Sequence, residues 1–379
     1  MPAFFRKPGD LASIWHRFPA ALMLTGNIRL AKNLLNTHFQ HFLRHLADAP
    51  TPQALARLAE ALGGLWLAAA QDGTAESAAG LVSDAADALT RRLLQLAQAE
   101  LGPPPVAYAW IAYGSQGRRE LTLNSDQDNA LVFAEDYRED RHGTYFAELA
   151  GRVCNGLADC GFILCPGNMM ASNPTWRLRS SDWAQHFHDW IVASDRHKAR
   201  LAGNFFDLRH IDGDARLLTP LFATLAELCP RHDSLLAHWV ANANVAPAAL
   251  GMFRRFIVDD RGRLDLKHAA TIPLVELARI HSLAAGIVDT SSTLPRLLAA
   301  AGKRWLSEAG AHDLARSWAF IGELRVRQQR QALMRGETPD NHIDPSALSP
   351  ETQEKLRQTL QLIALHQRAL LQIYPHMPG

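Results

Sequence analysis

Apolar residues in the first hundred positions recur at the spacing of an amphipathic helix. The apolar stripe is clearest in Asn27–Ala47 and returns in Asp84–Leu101. Between these segments, Pro52–Gln71 predicts a further helix, with Thr51 as its N-terminal cap. We therefore expect an N-terminal helical region over residues 1–102.

The hydrophobic pattern changes after this region, because short apolar runs bounded by turn residues replace the long stripes. The stretch Ala112–Phe133 consists of an apolar run, a polar turn and a second apolar run, which we interpret as strand, turn and strand. A helix over Thr144–Cys160 and a short strand over Phe162–Cys165 follow. This pattern predicts a small mixed sheet in a domain of residues 103–215.

From about residue 214 the chain returns to helical periodicity, interrupted by Gly, Pro and Asp-Asn turns. The predicted helices are Leu217–Leu228, Ser234–Val245, Pro247–Phe256, Leu274–Ala285, Ser292–Ala301, Asp313–Met334 and Pro350–Ile373. Their short connections indicate an antiparallel bundle over residues 216–379. The predicted fold class is α+β: a small mixed-sheet domain flanked by an N-terminal helical segment and a C-terminal helical bundle.

Composition excludes some classes of function. The formal net charge is +1, so the chain offers no global field for nucleic acid or an anionic membrane. No apolar run reaches the length of a membrane span, and the N-terminus lacks a signal-peptide core, so we expect a cytoplasmic protein. The four cysteines show no zinc-ligand spacing, and we expect them to be reduced and mostly buried.

Two aspartates, Asp126 and Asp128, open the second apolar run. Side chains alternate along a strand, so both should leave the same face, beside the uncharged run Ala130–Phe133. Such a carboxylate pair is costly unless cations neutralise it, and Mg2+ or Mn2+ favours carboxylate oxygens. The pair is therefore a candidate metal site. In the alternative interpretation, Asp126 caps a turn and Asp128 pairs with Arg118 or Arg119.

A glycine-serine turn precedes the two aspartates. Gly114 permits a turn tight enough for backbone N–H groups to face an anion, and the Ser115 hydroxyl adds a donor. Arg118 or Arg119 could offset charge on a leaving group. Together these residues predict a site at which phosphate groups and a metal ion are neighbours.

The combination of Gly114-Ser115 with Asp126-x-Asp128 in an apolar strand resembles the signature of the polymerase-beta-type nucleotidyltransferase superfamily. The fuller string GSQGRRE…SDQDNALV is similar to a branch related to the N-terminal domain of protein-PII uridylyltransferase. That resemblance runs from about Gln53 to the C-terminus. It implies a helical nucleotidyltransferase substrate-binding domain behind the catalytic one, and the string GRLDLKHAATIPLVELARIHSL resembles such a domain.

The superfamily has a third acidic position, which Asp207 matches. Asp207 lies between Phe206 and Leu208 in a short apolar run, and a strand there would bring another carboxylate to the sheet. The alternative is a salt bridge between Asp207 and Arg209, two residues further on.

The resemblance implies transfer of a nucleoside monophosphate from a nucleoside triphosphate to an acceptor hydroxyl. Asp126, Asp128 and Asp207 would be catalytic and would hold Mg2+ or Mn2+, while the glycine-serine turn would hold the phosphates. The resemblance to protein-PII uridylyltransferase implies that the acceptor is a protein, modified with a uridylyl group. Two alternatives stay open: a catalytically silent nucleotide-binding regulator that acts through its helical domain, and a template-independent nucleic-acid polymerase, against which the near-neutral charge counts.

Overall fold

The computed structural model describes residues 28–72, 74–244, 250–251 and 254–374. The chain divides into two compact units. The first comprises the described residues up to Ser180 together with Arg209–Leu218 and Gln329–Pro339. The second comprises Ser181–Leu208, Thr219–Gln328 and the described residues from Asp340 onward. The N-terminal helices and the sheet thus belong to one unit.

The described part of the first unit begins with four helices: α1 (Ile28–Asp48), α2 (Pro52–Ala59), α3 (Leu62–Asp72) and α4 (Ala75–Leu101). The predicted cap is confirmed, because the Thr51 side chain accepts a hydrogen bond from the N–H of Ala54. The predicted single helix over Pro52–Gln71 is wrong. The helix is interrupted at Glu60 and Ala61 and a new helix begins at Leu62.

The sheet of the first unit has four strands in the order β5-β3-β1-β6: β1 (Tyr108–Ala112), β3 (Asn129–Phe133), β5 (Arg177–Arg179) and β6 (Arg209–Gly213). The strand β1 pairs antiparallel with β3 and β6, and β3 pairs parallel with β5. Every residue of β1 and β3 is buried, which agrees with their uncharged sequences. The sheet is mixed, as predicted.

Four further elements of the first unit lie close to these strands along the chain. A four-residue helical turn, α5 (Gly114–Gly117), follows β1. The two-residue strands β2 (Asp126–Gln127) and β4 (Ile163–Leu164) pair with each other in parallel. Between β3 and β4 the chain forms α6 (Glu139–Asp159), which begins five residues before the predicted Thr144.

The second unit is almost entirely helical in its described part. Its helices are α7 (Ser180–Val192), α8 (Arg196–Phe205), α9 (Thr219–Leu228), α10 (Asp233–Ala243), α11 (Ile272–Ala284), α12 (Thr293–Ala299), α13 (Glu308–Met334) and α14 (Pro350–Ile373). The first residue of α7 and the last turns of α13, from Gln329, belong to the first unit. A π-helix (Lys267–Thr271) leads into α11, and a short antiparallel pair joins β7 (Leu264–Asp265) to β8 (His342–Ile343). Most predicted helices of this region are therefore confirmed within a few residues.

One predicted helix of the C-terminal region is wrong in its described part. Of Pro247–Phe256, residues 247–249 and 252–253 lie outside the described residues. The ends of the remainder form an isolated antiparallel bridge between Leu250 and Phe256, which a helix does not allow. Among the described helices, none combines the length and apolar character needed to cross a membrane.

A buried histidine on α11 predicts a pH dependence of stability. Burial, with a smaller contribution from the charge of His366, lowers the pKa of His281 from 6.5 to about 4. The unfolded chain therefore binds an extra proton between these two values, so the folded state loses stability as the pH falls through this window. Urea unfolding at about pH 7.5 and about pH 5 should show a loss of about 2 kcal/mol from this residue.

The variant His281→Leu isolates this effect, because it removes the titrating group from a buried position. Its free energy of unfolding should fall less with acid than that of the parent protein. The matched control is His312→Leu on α13, where the side chain is exposed. If His281→Leu and the parent lose equal stability between the two pH values, the buried neutral histidine is not the cause.

Candidate active site

The glycine-serine turn is a single helical turn directly after β1. Gly114 has a φ of +57°, a conformation that L side chains rarely adopt. A Cβ atom at this position would lie 2.6 Å from Oδ2 of Asp128. The glycine is thus required twice, for its backbone angle and for the close approach of the carboxylate. At the start of a helical turn, the N–H groups of Gly114 and Ser115 have no intrahelical acceptor.

An ion pair behind the turn holds it in place. The guanidinium of Arg209 on β6 donates to the backbone oxygens of Gln116 and Gly117, at 3.0 and 3.3 Å. The same guanidinium makes two hydrogen bonds, of 2.6 and 2.9 Å, to the carboxylate of Asp87 on α4. Two parallel hydrogen bonds of this kind fix orientation as well as distance. The carboxyl end of the turn is therefore tied to both a strand and a helix.

Asp126 and Asp128 point to the same side of the chain, as the alternation predicted. Both are partly exposed, whereas Gln127 and Asn129 between and after them are buried. A carboxylate oxygen of each aspartate and the Sγ of Cys165 all lie within 4.8 Å of one another. Three potential metal-ligand atoms therefore converge beside the glycine-serine turn.

The two buried amides hold this segment against its neighbours. Nε2 of Gln127 donates to the backbone oxygens of Cys154 and Phe162, at 2.9 and 3.1 Å. Oδ1 of Asn129 accepts a hydrogen bond of 2.8 Å from the N–H of Ala171. Because each inward-facing amide is bonded, the outward-facing aspartates are fixed in direction. The alternation of acid and amide in Asp-Gln-Asp-Asn was the available signal for these positioning residues.

Strand register explains why Cys165 joins the two aspartates. In the parallel pair, Asp126 lies opposite Ile163 and Gln127 opposite Leu164. Asp128 and Cys165 are the next residues along each chain, so they leave the pair side by side. Burial, followed by the nearby charge of Asp128, raises the pKa of the Cys165 thiol to about 11. All four cysteines are free thiols and three are buried, as predicted, but the sequence did not indicate this position for Cys165.

A buried tyrosine lies under the same site. The hydroxyl of Tyr113 donates to the backbone oxygen of Met169, and its N–H donates to the backbone oxygen of Asp128 at 3.2 Å. Burial raises the pKa of Tyr113 well above its ordinary value, and the negative charge of Asp128 contributes next. The phenol therefore stays protonated and acts as a hydrogen-bond donor.

The two arginines after the turn have carboxylate partners. Nε of Arg118 lies 2.7 Å from Glu120, and both side chains are largely buried. Arg119, which has a φ of 60°, forms a 2.6 Å ion pair with Asp84 on α4, and it is 44% exposed. An exposed pair of this kind is weak, so Arg119 can exchange its partner for an anion at little cost. The role of Arg118 and Arg119 in nucleotide binding stays a prediction.

Asp207 lies in the second unit, and its local structure differs from the expectation. The predicted strand begins at Arg209, so Asp207 occupies the turn between α8 and β6. Its fully buried carboxylate is bonded to Arg279 through hydrogen bonds of 2.6 and 3.1 Å, and also to Arg296. The alternative prediction, a salt bridge at Asp207, is confirmed, but the predicted partner is wrong. Arg209 pairs with Asp87 instead.

The variant Gly114→Ala should lose activity at a nucleotide site built on this turn. The new methyl group adds about 1–2 kcal/mol of backbone strain and displaces the Asp128 carboxylate. A displacement of about 1 Å at a reacting centre costs about a hundredfold in rate, so we expect a loss of at least that size. The matched control is Gly80→Ala in α4, where an added Cβ meets nothing within 4 Å. Equal activity of the two variants would show that the turn does not touch the reaction.

Two segments of the chain match known protein families. Residues 65–197 match the family described as "Putative nucleotidyltransferase DUF294", and residues 233–374 match the "Putative nucleotidyltransferase substrate binding domain". The chain therefore belongs to this nucleotidyltransferase family. The matched segment 65–197 contains the glycine-serine turn, both aspartates and Cys165.

A curated relative carries a more specific name. The bifunctional glutamine synthetase adenylyltransferase/adenylyl-removing enzyme of Xanthomonas campestris pv. campestris is 30% identical to this chain over 253 residues. The similarity covers 59% of this chain and 25% of that enzyme. The chain thus spans about a quarter of the length of this relative.

Proposed function

We propose that the protein transfers a nucleoside monophosphate from a nucleoside triphosphate to an acceptor hydroxyl in a reaction that depends on a divalent metal ion. The observation that carries this proposal is the close approach of the Asp128 carboxylate to Gly114, where an added Cβ atom would lie 2.6 Å from Oδ2 of Asp128. The turn that would bind phosphate and the carboxylate that would bind the metal ion are immediate neighbours there. Family membership supports the same class of reaction.

The residues at the site fit a divalent metal ion. Carboxylate oxygens of Asp126 and Asp128 converge within 4.8 Å, and both side chains are partly exposed to substrate and water. When bound, such an ion neutralises the phosphate charge and favours attack on the phosphorus atom. Asp126 and Asp128 would hold the ion.

The protein's own groups would bind and orient the triphosphate. The N–H groups of Gly114 and Ser115 and the Ser115 hydroxyl would hold the β and γ phosphates. Arg119 could leave Asp84 and offset the charge of the departing pyrophosphate, since its pair is exposed. The Arg209–Asp87 pair would keep the turn in register with the aspartates.

For the transferred group we propose adenylyl, with a protein as the acceptor. Support comes from the relative, whose name describes adenylyl transfer involving glutamine synthetase. The uridylyl group implied by the sequence resemblance is the second choice. Transfer of either group from its nucleoside triphosphate releases pyrophosphate, so the site geometry is compatible with both.

The test uses each of the four nucleoside triphosphates labelled on the α phosphate, with Mg2+ or Mn2+ and a cell lysate as the source of acceptor. We expect metal-dependent labelling of a protein from ATP, with release of pyrophosphate. Parallel reactions with γ-labelled ATP should leave the same band unlabelled, which separates nucleotidyl from phosphoryl transfer. Absence of α label and of pyrophosphate with all four triphosphates would contradict the proposal.

One observation favours a second candidate, a catalytically silent nucleotide-binding regulator. Asp207, which the sequence resemblance implies as a third metal ligand, has its carboxylate bonded to Arg279 and Arg296. We therefore leave Asp207 out of the proposed metal ligands, and a site with one metal could bind nucleotide without turnover. Calorimetry that shows metal-dependent ATP binding with no pyrophosphate release would favour the regulator.

A further inference from the structure

Sulfur atoms line one side of the site formed by Asp126 and Asp128. The Sγ of Cys165 lies within 4.8 Å of carboxylate oxygens from both aspartates. Sγ of Cys165 and Sδ of Met169 each lie 3.7 Å from the point that a Cβ of Gly167 would occupy. Both sulfur atoms therefore face one gap, which the glycine leaves open.

The loop that carries these sulfur atoms is held by the sheet. The N–H of Ala171 is bonded to Asn129, the backbone oxygen of Met169 accepts from Tyr113, and the N–H of Cys165 contacts Sδ of Met170 at 3.4 Å. The loop is thus fastened at its start, its middle and its end. Because of these bonds, the position of the thiol follows from the fold and not from a mobile surface loop.

We propose that Asp126, Asp128 and Cys165 form a binding site for a thiophilic divalent cation such as Zn2+ or Co2+, with Cys165 as the third ligand. This inference rests on the proposed function only for the use of the two aspartates as metal ligands. On binding, the metal–sulfur bond forms as the thiol proton leaves to solvent, so no oxidant or reductant is required. The Met169 thioether adds a soft neighbour on the same side.

The three ligand atoms, two carboxylate oxygens and one thiol sulfur, explain why we expect the site to bind a thiophilic cation. Mg2+ binds oxygen and gains little from sulfur, whereas thiolate ligands favour softer metals. Two carboxylates with one thiolate also leave open positions, as in three-ligand zinc sites that keep a place for water or substrate. The same carboxylates would serve Mg2+ and the thiophilic cation, so the two ions exclude each other.

The test is a titration of the full chain with Co2+, followed by absorption spectroscopy. A cobalt–thiolate bond gives an intense charge-transfer band in the near ultraviolet, which carboxylate ligands do not give. We expect this band in the parent protein and its loss in Cys165→Ser, with Co2+ affinity weakened at least about tenfold. The matched control is Cys229→Ala, a buried thiol of the second unit, which should keep the band.

Two results would overturn the inference. One is a parent protein that binds Co2+ without the band or does not bind it. The other is a band that persists in Cys165→Ser. Pyrophosphate release by the parent protein with Mg2+ is measured separately. Pyrophosphate release without the cobalt–thiolate band would contradict this inference alone. The cobalt–thiolate band without pyrophosphate release would contradict the proposed function alone.

Discussion

The variant Asp128→Asn is expected to release pyrophosphate at about a thousandth of the parent rate or less. The amide keeps the size of the side chain beside Gly114 but removes the charge that would bind the metal ion. Loss of metal stabilisation of the transferring phosphate costs about 4 kcal/mol or more in the transition state, which corresponds to this factor. The rate is measured as pyrophosphate release with Mg2+ and ATP.

The matched control for this variant is Asp136→Asn, an exposed aspartate in the turn after β3. This control changes the net charge of the first unit by the same amount as Asp128→Asn. Its rate of pyrophosphate release should match that of the parent protein. Circular dichroism and the unfolding midpoint should show that Asp128→Asn stays folded. A folded Asp128→Asn protein with the parent rate would remove Asp128 from the reaction.

The variant Asp207→Asn is expected to lower the free energy of unfolding by about 3–5 kcal/mol. Its carboxylate is fully buried and balances the guanidiniums of Arg279 and Arg296, which are each only 2% exposed. Removing one partner of a buried ion pair leaves uncompensated charge in the interior, and the cost has this size. Denaturant unfolding followed by tryptophan fluorescence measures it, because Trp239 of α10 is buried in the same unit.

The control is Asp214→Asn, which breaks a pair with the exposed Arg216 and should change stability little. The same two variants separate a structural role from a catalytic one. If the role of Asp207 is structural, the Asp207→Asn protein has the Mn2+ affinity of the parent protein at temperatures where it is folded. If it unfolds like the parent but loses Mn2+ binding, then Asp207 is a metal ligand and the ion-pair assignment is wrong.

The hydrophobic pattern was sufficient to predict the secondary structure of segments that have one strong periodicity. The helix Pro350–Ile373 has the predicted bounds, and β3 lies in the predicted uncharged run. In both cases the residues that decide the structure are neighbours along the chain, and burial reinforces their preference. The pairing of Asp126 with Asp128 was predictable for the same reason, because alternation along a strand is a local property.

Contacts between distant residues were not predictable from that pattern. Arg209 is 122 residues from Asp87, and Asp207 is 72 residues from Arg279. Asp207 was assigned a role from its immediate neighbours, whereas its partners Arg279 and Arg296 come from two other helices. Cys165 was missed because its place depends on the register of two strands of two residues each, which a sequence pattern does not specify.

The most direct test of the metal and nucleotide site is a Mn2+ titration followed by electron paramagnetic resonance, with and without a non-hydrolysable ATP analogue. The parent protein should bind Mn2+, and the analogue should tighten that binding, because turn and carboxylates hold one metal–triphosphate complex. The double variant Asp126→Asn/Asp128→Asn should bind Mn2+ at least about tenfold more weakly and lose the effect of the analogue. Equal Mn2+ affinity in the parent and the double variant would contradict the account.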